Sequence, residues 1–440
     1  LDSSKPRFGI IISMFPELHE TFILRELVAL EKRGLQFDIF SLQFPRDPIT
    51  IDDAIRLSEE RTTYEKLITA NTLKAFFSTL VTRPLKTTKA IAKVVWHGRD
   101  RPMDIVKNLA ILPVTLHFYQ LGSVRGIEHW HGHWANIPTT ACWFLQQIHG
   151  ITWSAAIHGE DIFSPNRFLS YKLNDAAFSV VCSGYFCSHL QQQMDLKQPE
   201  DVHLNYHGLD PRVMQRSAER SFNDRGGNDK EGNDNEGNDN KGNDSGSSQK
   251  LKLVSIGRLV PTKGHDVLIK ACGLLRKQYN IDFELQLIGS GPIETELHAL
   301  ARSESVDDAV EFRGGLAFED VLATLEQADM FCLAPRLIPG HPPDGIPNVI
   351  AEAMALRVPV VSTRVSAIPE LLESGKTGQL VEVDDVEGFA AAIAAVAQDP
   401  ELARSISENG FNKVGQLFDQ QKNIDELIDL FNRYVPGKVT

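Results

Sequence analysis

Short apolar runs along this chain alternate with stretches spaced like helices. Residues 7–13 (Arg-Phe-Gly-Ile-Ile-Ile-Ser) are short, apolar and rich in isoleucine, which predicts a buried strand. A helix is expected over 21–33 with Phe22, Leu27 and Leu30 towards the core, ended by Gly34, and a strand over 37–42. That succession is a βαβ unit, the mark of a parallel sheet. The alternation returns with strands expected at 128–131, 152–157, 177–182 and 202–206. It restarts at 251–256, 283–288, 330–333, 359–362 and 379–381, with helices at 265–276 and 292–301 and a mainly helical tail over 390–434. The fold class is α/β, with two Rossmann-like βα halves.

Between the halves the pattern breaks. Residues 222–249 repeat Gly-Asn-Asp-x-x with a period of five and hold no apolar residue after Phe222. Such a segment cannot bury a core and is expected to be a solvated, disordered linker. The aspartate spacing does not fit an EF-hand loop. The expected organisation is an N-terminal domain over 1–220 with a helical excursion over 50–125, and a linker insert over 221–250. A second domain follows over 251–415, then a C-terminal helix over 416–440 that packs back towards the N-terminal domain.

The chain's 440 residues suffice for two large cores, and 42% hydrophobic with 23% charged residues is ordinary for a water-soluble protein. A formal net charge of −13 argues against nucleic acid as a partner. The five cysteines (Cys142, Cys182, Cys187, Cys272, Cys332) lack C-x-x-C spacing, so free thiols in a reducing compartment are expected. No apolar run is long enough to span a bilayer, and no signal peptide is visible. The chain starts at Leu1 without methionine, which suggests trimmed N-terminal residues. The expected location is cytoplasmic, with contact to the inner face of a membrane left open. Residues 74–107 carry eight Lys/Arg against Asp100 and Asp104, interleaved with Phe76, Phe77, Leu80, Ile91, Val94, Val95 and Trp96. This is either a basic amphipathic surface for anionic lipid or a helical excursion with a solvated basic face.

Two segments carry candidate chemistry. In Asp344-Gly-Ile-Pro-Asn-Val-Ile-Ala-Glu352, Pro347 suits the first turn of a helix expected over 348–356. Gly345 lets backbone approach a ligand, and free N–H groups at the helix start attract phosphate. Glu352, about one turn further in, is placed to accept hydrogen bonds from sugar hydroxyls. In Ser255-Ile-Gly-Arg258-Leu-Val-Pro-Thr-Lys263-Gly264, a strand ends and a helix opens. Arg258 and Lys263 there form a clamp for a diphosphate. In the Gly289-Ser290-Gly291-Pro292 loop the glycines allow close backbone approach, either to a ligand or in a plain tight strand-to-helix turn.

As a set these motifs resemble the retaining glycosyltransferases of family 4, which have the GT-B fold of two Rossmann-like domains facing across a cleft. The family signature has two glutamates separated by seven residues; here Glu352 fills the second position and Asp344 the first. Gly257-Arg258…Lys263-Gly264 is similar to the family's diphosphate motif, and Pro369-Glu370…Gly375…Gly378 to a further run. His158-Gly159-Glu160-Asp161 resembles the His-Gly-x-Asp segment of the N-terminal domain, and His131/His133 its His-x-His. Pro16…Glu20-Thr21-Phe22 looks like a segment of members that build exopolysaccharide, colanic-acid-like polymers among them.

The resemblance implies His158 and Asp344 as catalytic residues. It implies donor contacts at Arg258, Lys263, Gly289, Gly291, Gly345, Ile346, Pro347, Asn348 and Glu352, with Glu352 on the ribose. Acceptor-side contacts fall to Glu20, Thr21, His133 and Asp161, with Thr21 alternatively a helix cap and the His131/His133 pair alternatively structural. A nucleoside-diphosphate hexose would be the donor, and a cell-surface or lipid-linked saccharide the acceptor. No metal and no cofactor are expected, since the two cations already face the diphosphate. Two rival readings are a nucleotide-sugar epimerase and a sugar-nucleotide-binding or assembly protein weakened by Asp344. A dinucleotide oxidoreductase is disfavoured because no Gly-x-Gly-x-x-Gly follows the first strand.

Overall fold

The computed structural model describes residues 7–17, 20–163, 167–218 and 250–437. The repeat at 222–249, and Leu18 and His19 of the first loop, lie outside the described residues. The chain forms two compact units, Leu1–Gly208 with Phe418–Thr440, and Leu209–Leu417.

The first unit is built on seven strands: β1 (Arg7–Met14), β2 (Gln36–Gln43), β3 (Thr62–Tyr64), β4 (Ile127–His133), β5 (Thr152–Ile157), β6 (Ser179–Val181) and β7 (Val202–Leu204). They pair in parallel in the order β3-β2-β1-β4-β5-β6-β7. The first connection is α1 (Thr21–Lys32), and the second α2 (Asp52–Glu60). The excursion holds four more helices, α3 (Ala70–Thr82), α4 (Pro84–Gly98), α5 (Pro102–Ala110) and α6 (Leu112–Val124). A Thr69–Thr72 capping box starts α3, and prolines in the first turn start the next three. Then come α7 (Ile137–His149), α8 (Gly159–Phe163), α9 (Arg167–Leu173) and α10 (Gly184–Gln193).

Strands β1, β2, β4 and β5 are buried on both faces over most of their length, which is why they read as largely apolar runs. On β1, Phe8, Ile10 and Ile12 join Leu27 and Phe37 on one side, while Ile11 joins Phe40, Trp130 and Trp153 on the other. Helix α1 buries Ile23, Leu24, Leu27 and Leu30, but Phe22, expected in the core, is only half-buried.

The second unit begins with α11 (Pro211–Ala218). Residues 209–218, expected with the N-terminal domain, group with this unit. Arg212 and Arg216 bind Glu319 and Glu326 at 2.7 and 3.0 Å. Six strands follow: β8 (Leu251–Ile256), β9 (Phe283–Ile288), β10 (Val310–Gly314), β11 (Met330–Leu333), β12 (Val360–Thr363) and β13 (Gln379–Val381). Their parallel order is β10-β9-β8-β11-β12-β13. The helices are α12 (His265–Tyr279), α13 (Glu294–Ser303), α14 (Phe318–Gln327), α15 (Asn348–Ala355), α16 (Ile368–Leu371), α17 (Val386–Gln398) and α18 (Pro400–Leu417). The last helix, α19 (Gln420–Tyr434), belongs to the first unit. Its Ile424, Leu427, Ile428 and Phe431 pack with Phe8, Ile10 and Phe37, and Arg33 binds Asp425 at 2.7 Å.

Two strands carry no apolar run. Thr62–Tyr64 is half-buried and Val310–Gly314 half-buried to exposed, each on the edge of its sheet, so neither shows the buried-strand pattern. Pro347 and Pro292 precede their helices instead of lying within them: Pro347 is the cap position with ψ 123°, and α13 starts at Glu294. Among the described residues no helix is long and apolar enough to cross a membrane.

Candidate active site

In the second unit the candidate donor residues lie on loops leaving the C-terminal ends of β8, β9 and β11. Ligands gather at this end of a doubly wound sheet. The loops after β8 and β9 are laced by backbone bonds, Gly257 N–H to the Ile288 carbonyl and Leu259 N–H to the Ser290 carbonyl, both 2.9 Å. Glycines permit that closeness. Gly289 has φ 136° and a Cβ there would lie 2.0 Å from the Gly257 carbonyl oxygen; at Gly291 one would lie 2.2 Å from that of Leu259. Gly264, at φ 66°, ends the turn Pro261–Lys263, and its Cβ would lie 1.7 Å from the Ala334 carbonyl oxygen. The glycines therefore hold the two candidate cations in place, whatever else they touch.

Arg258 is exposed and has no ion-pair partner among the described residues. Lys263 Nζ lies 2.8 Å from Asp344 Oδ2, with Lys263 14% and Asp344 42% exposed. The first of the paired acids thus meets the clamp lysine directly. Ser366 Oγ donates to the Asp344 carbonyl at 2.6 Å, holding the loop from the β12 side. Gly345 and Ile346 are half-buried, Pro347 buried and Asn348 exposed at the start of α15. Glu352 is buried one turn in.

Sequence reading missed Arg336. Its Nε donates to the Pro261 carbonyl at 2.9 Å, and its other nitrogens bind Asp266 and, at 2.7 Å, Asp384. It staples the Lys263 turn to the start of α12. Its place just after β11, where loops face ligand, was the signal available. A cavity of about 600 Å³ lined by Lys252, Glu284, Arg313 and Asp320 opens near the opposite, N-terminal ends of β8 and β9 and takes no part in this site.

Beneath the clamp, His265 opens α12 with Nδ1 3.3 Å from Ser255 Oγ. Burial pushes its pKa down to about 4. The folded protein favours the neutral ring, so the unfolded chain takes up a proton first. This contribution to stability is whole above about pH 6.5 and is lost as pH falls towards 4. From pH 7 to pH 5 the loss should be about 2 kcal/mol. Urea unfolding at both pH values checks this: His265→Gln should lose correspondingly less, and an unchanged pH dependence would contradict it.

In the first unit, His158 follows β5 and is buried, with Nε2 unpartnered among the described residues. Its ring lies 4.4 Å from Trp134, 5.0 Å from Phe22 and 5.3 Å from His207, centroid to centroid. Burial holds the imidazole well below its usual pKa, so it is a neutral hydrogen-bonding group, not a cation. Trp134 sits at φ 77°, an unusual conformation for a bulky residue and a marker of functional sites. His207-Gly208 repeats the His158-Gly159 pattern after the next strand but one, a signal present in the sequence.

Asp161 accepts the backbone N–H groups of Ala135 (2.7 Å) and His158 (3.2 Å) through one oxygen; the other is buried without a partner among the described residues. Burial raises its pKa to about 6. Its bonds fix the two loops around His158. Glu20 is the cap position of α1, but no side chain caps that helix, so Thr21 does not act as a cap. Burial raises the pKa of Glu20, opposed by the nearby Trp134 and His133. His133 is buried, 3.3 Å from Glu26.

Residues 238–413 match the family described as "Glycosyl transferases group 1". The chain is 37% identical over 172 residues to the putative colanic acid biosynthesis glycosyltransferase WcaL of Salmonella typhimurium, covering 39% of this chain and 42% of that protein. It is 31% identical over 185 residues to the amylovoran biosynthesis glycosyltransferase AmsK of Erwinia amylovora, covering 42% of this chain and 45% of the relative. The chain thus spans less than half the length of these curated relatives. Among solved structures, Anabaena HepE in complex with UDP superposes with a TM-score of 0.65 at 16% identity, over 97% of this chain and 100% of that one. A sucrose-phosphate synthase from Thermosynechococcus elongatus superposes with the same score and identity, over 98% and 99%. The two parallel-sheet α/β domains of this chain have the GT-B fold.

Proposed function

We propose that this protein is a retaining, metal-independent glycosyltransferase that moves a hexose from a nucleoside-diphosphate sugar to a cell-surface or lipid-linked saccharide. The observation that carries this reading is the pair of interlocked glycine loops that carry Arg258 and Lys263, with Lys263 beside Asp344 and Glu352 buried one helical turn in. In the reaction the bond from the sugar's anomeric carbon to the diphosphate breaks and the diphosphate takes the electron pair. An acceptor hydroxyl oxygen bonds to the same face of that carbon, and its proton passes to the departing diphosphate, the base released in the step. Arg258 and Lys263 stabilise the charge that develops on the leaving group. Glu352 accepts hydrogen bonds from ribose hydroxyls, and Asp344 contacts the transferred sugar once phosphate displaces it from Lys263. His158 offers an uncharged imidazole to the sugar, and Glu20, Thr21 and Asp161 shape the acceptor side. Incubation with a panel of sugar nucleotides and analysis of products tests this reading.

The Lys263–Asp344 pair also favours a second reading, a sugar-nucleotide-binding protein without turnover, because the clamp lysine is already neutralised. Donor binding with no transfer to any acceptor would establish it.

The partner surface for a lipid-linked acceptor is the tip of α3 and α4, at the cytoplasmic face of a membrane. Phe77, Val81 and Leu85 are 57%, 80% and 83% exposed there, beside exposed Lys74, Lys86 and Lys89. Lys93, expected on this face, instead binds Gln147 at 2.7 Å and lies over Trp143. Vesicles containing phosphatidylglycerol should bind the protein, and binding should weaken with salt. Lys74, Lys86 and Lys89 reversed together to Glu should abolish it; unchanged sedimentation with vesicles would remove the membrane contact.

A further inference from the structure

We propose that Glu26, His131 and His133 form a zinc site in the first unit, separate from the donor clamp. The strand's two-residue period puts His131 and His133 on one face of β4, and the neighbouring α1 brings Glu26 to them. One ligand atom from each residue lies within 4.8 Å of the other two. His133 Nε2 and Glu26 Oε1 are 3.3 Å apart. That is the edge of a tetrahedron whose bonds to zinc are about 2.0–2.1 Å.

Apart from the approach of His133 Nε2 to Glu26 Oε1, the atoms that converge have no partner among the described residues. His131 Nε2, both ring nitrogens of His133 and Glu26 Oε1 are all buried without a hydrogen-bond partner among the described residues. Buried polar atoms are rarely left so, and three that converge, one from each residue, mark a missing occupant. The set is two imidazoles and a carboxylate, which suits zinc and not the all-oxygen sites of magnesium or calcium. A fourth position would remain for water.

The surroundings are ordered for such a role. His131 Nδ1 lies 2.7 Å from Ser154 Oγ, which lies 2.8 Å from His129 Nε2, and His129 Nδ1 lies 2.9 Å from Thr152 Oγ1. If His131 Nδ1–H donates to Ser154, the serine donates to His129 and His129 to Thr152. That polarity leaves the lone pair of His131 Nε2 free for a metal. Ligating histidines are usually oriented through the other nitrogen in this way. Glu20, close enough to act on His133, adds a second carboxylate to offset the ion's charge. A bound ion would tie α1 to β4 and fix Phe22 against His158. The adjacent trio His158, Cys182 and His207 is the rival set, but only one of its ring nitrogens, His158 Nε2, is buried and unpartnered.

The test is calorimetric titration of Zn²⁺ into full-length protein stripped with chelator. One equivalent should bind, Mg²⁺ should not, and X-ray absorption should show two imidazoles among nitrogen and oxygen ligands at about 2.0–2.1 Å. Glu26→Gln and His133→Gln should each weaken binding at least about 100-fold, and Ser154→Ala about 10–100-fold. Cys182→Ser should leave it unchanged. Far-ultraviolet circular dichroism of the stripped variants shows that they fold, and Glu26→Gln keeps the shape of the residue it replaces. Absence of zinc binding in the parent would overturn the proposal. So would binding that survives both ligand changes, or that is lost with Cys182→Ser.

Discussion

Lys263→Ala should weaken binding of a nucleoside diphosphate by about 30–150-fold, the loss of a charge-assisted bond worth roughly 2–3 kcal/mol. Turnover should fall by about 10²–10³, as when one stabilising donor is removed from a developing charge. Asp344→Asn should act with the opposite sign on binding. In the free protein the Asp344 carboxylate sits 2.8 Å from Lys263, and a bound diphosphate would have to displace it. That pair is partly exposed, so its release is worth at most about 1 kcal/mol, and nucleotide affinity should rise by up to about 5-fold. Turnover should nevertheless drop, because the transferred sugar loses its carboxylate. Calorimetry on both variants separates these effects. Weakening of similar size by both changes would mean that Asp344 holds the nucleotide and does not compete with it.

Gly264→Ala should be the most damaging single methyl in the second unit. The position has φ 66°, which costs a residue with a Cβ about 1–2 kcal/mol. The methyl would also meet the Ala334 carbonyl oxygen at 1.7 Å, and relief of such overpacking costs about 1–3 kcal/mol. The sum, about 2–5 kcal/mol, corresponds to a fall of roughly 5–15 °C in the melting temperature of a unit this size. Gly315→Ala is the control, since nothing lies within 4 Å of a Cβ there and its φ is ordinary. Calorimetric melts should place the control within about 1–2 °C of the parent. Equal melting temperatures for Gly264→Ala and the parent would mean that the Lys263 turn is not held by the packing described.

Strands such as Leu251–Ile256 and Phe283–Ile288 were legible in the sequence because burial on both faces writes an uninterrupted apolar run. Thr62–Tyr64 was not, because an edge strand of three half-buried polar residues owes its existence to pairing with β2. The same division holds at the site. Arg258, Lys263 and Glu352 stand in local patterns whose spacing carries a chemical meaning. The pairing of Lys263 with Asp344 joins residues 81 apart, and only the order of strands brings them together. Arg336 and Glu26 stand in no motif; each matters through what the fold places beside it. His131 and His133 were readable as a pair. Their third neighbour was not, since α1 reaches β4 only because β1 and β4 are adjacent in the sheet. Phe22 was misplaced into the core because helical period alone does not say that its end of α1 faces His158.

Transfer itself is the decisive quantity. Purified protein should be incubated with UDP- and GDP-hexoses and a panel of p-nitrophenyl hexosides, without Mg²⁺ or Mn²⁺ and with zinc left in place, and the products' linkages read by proton NMR. The predicted result is a glycoside with the anomeric configuration of the donor, formed without Mg²⁺ or Mn²⁺ and reduced about 10²–10³-fold by Lys263→Ala. A product of inverted configuration, or transfer that appears only when Mg²⁺ or Mn²⁺ is added, would contradict it.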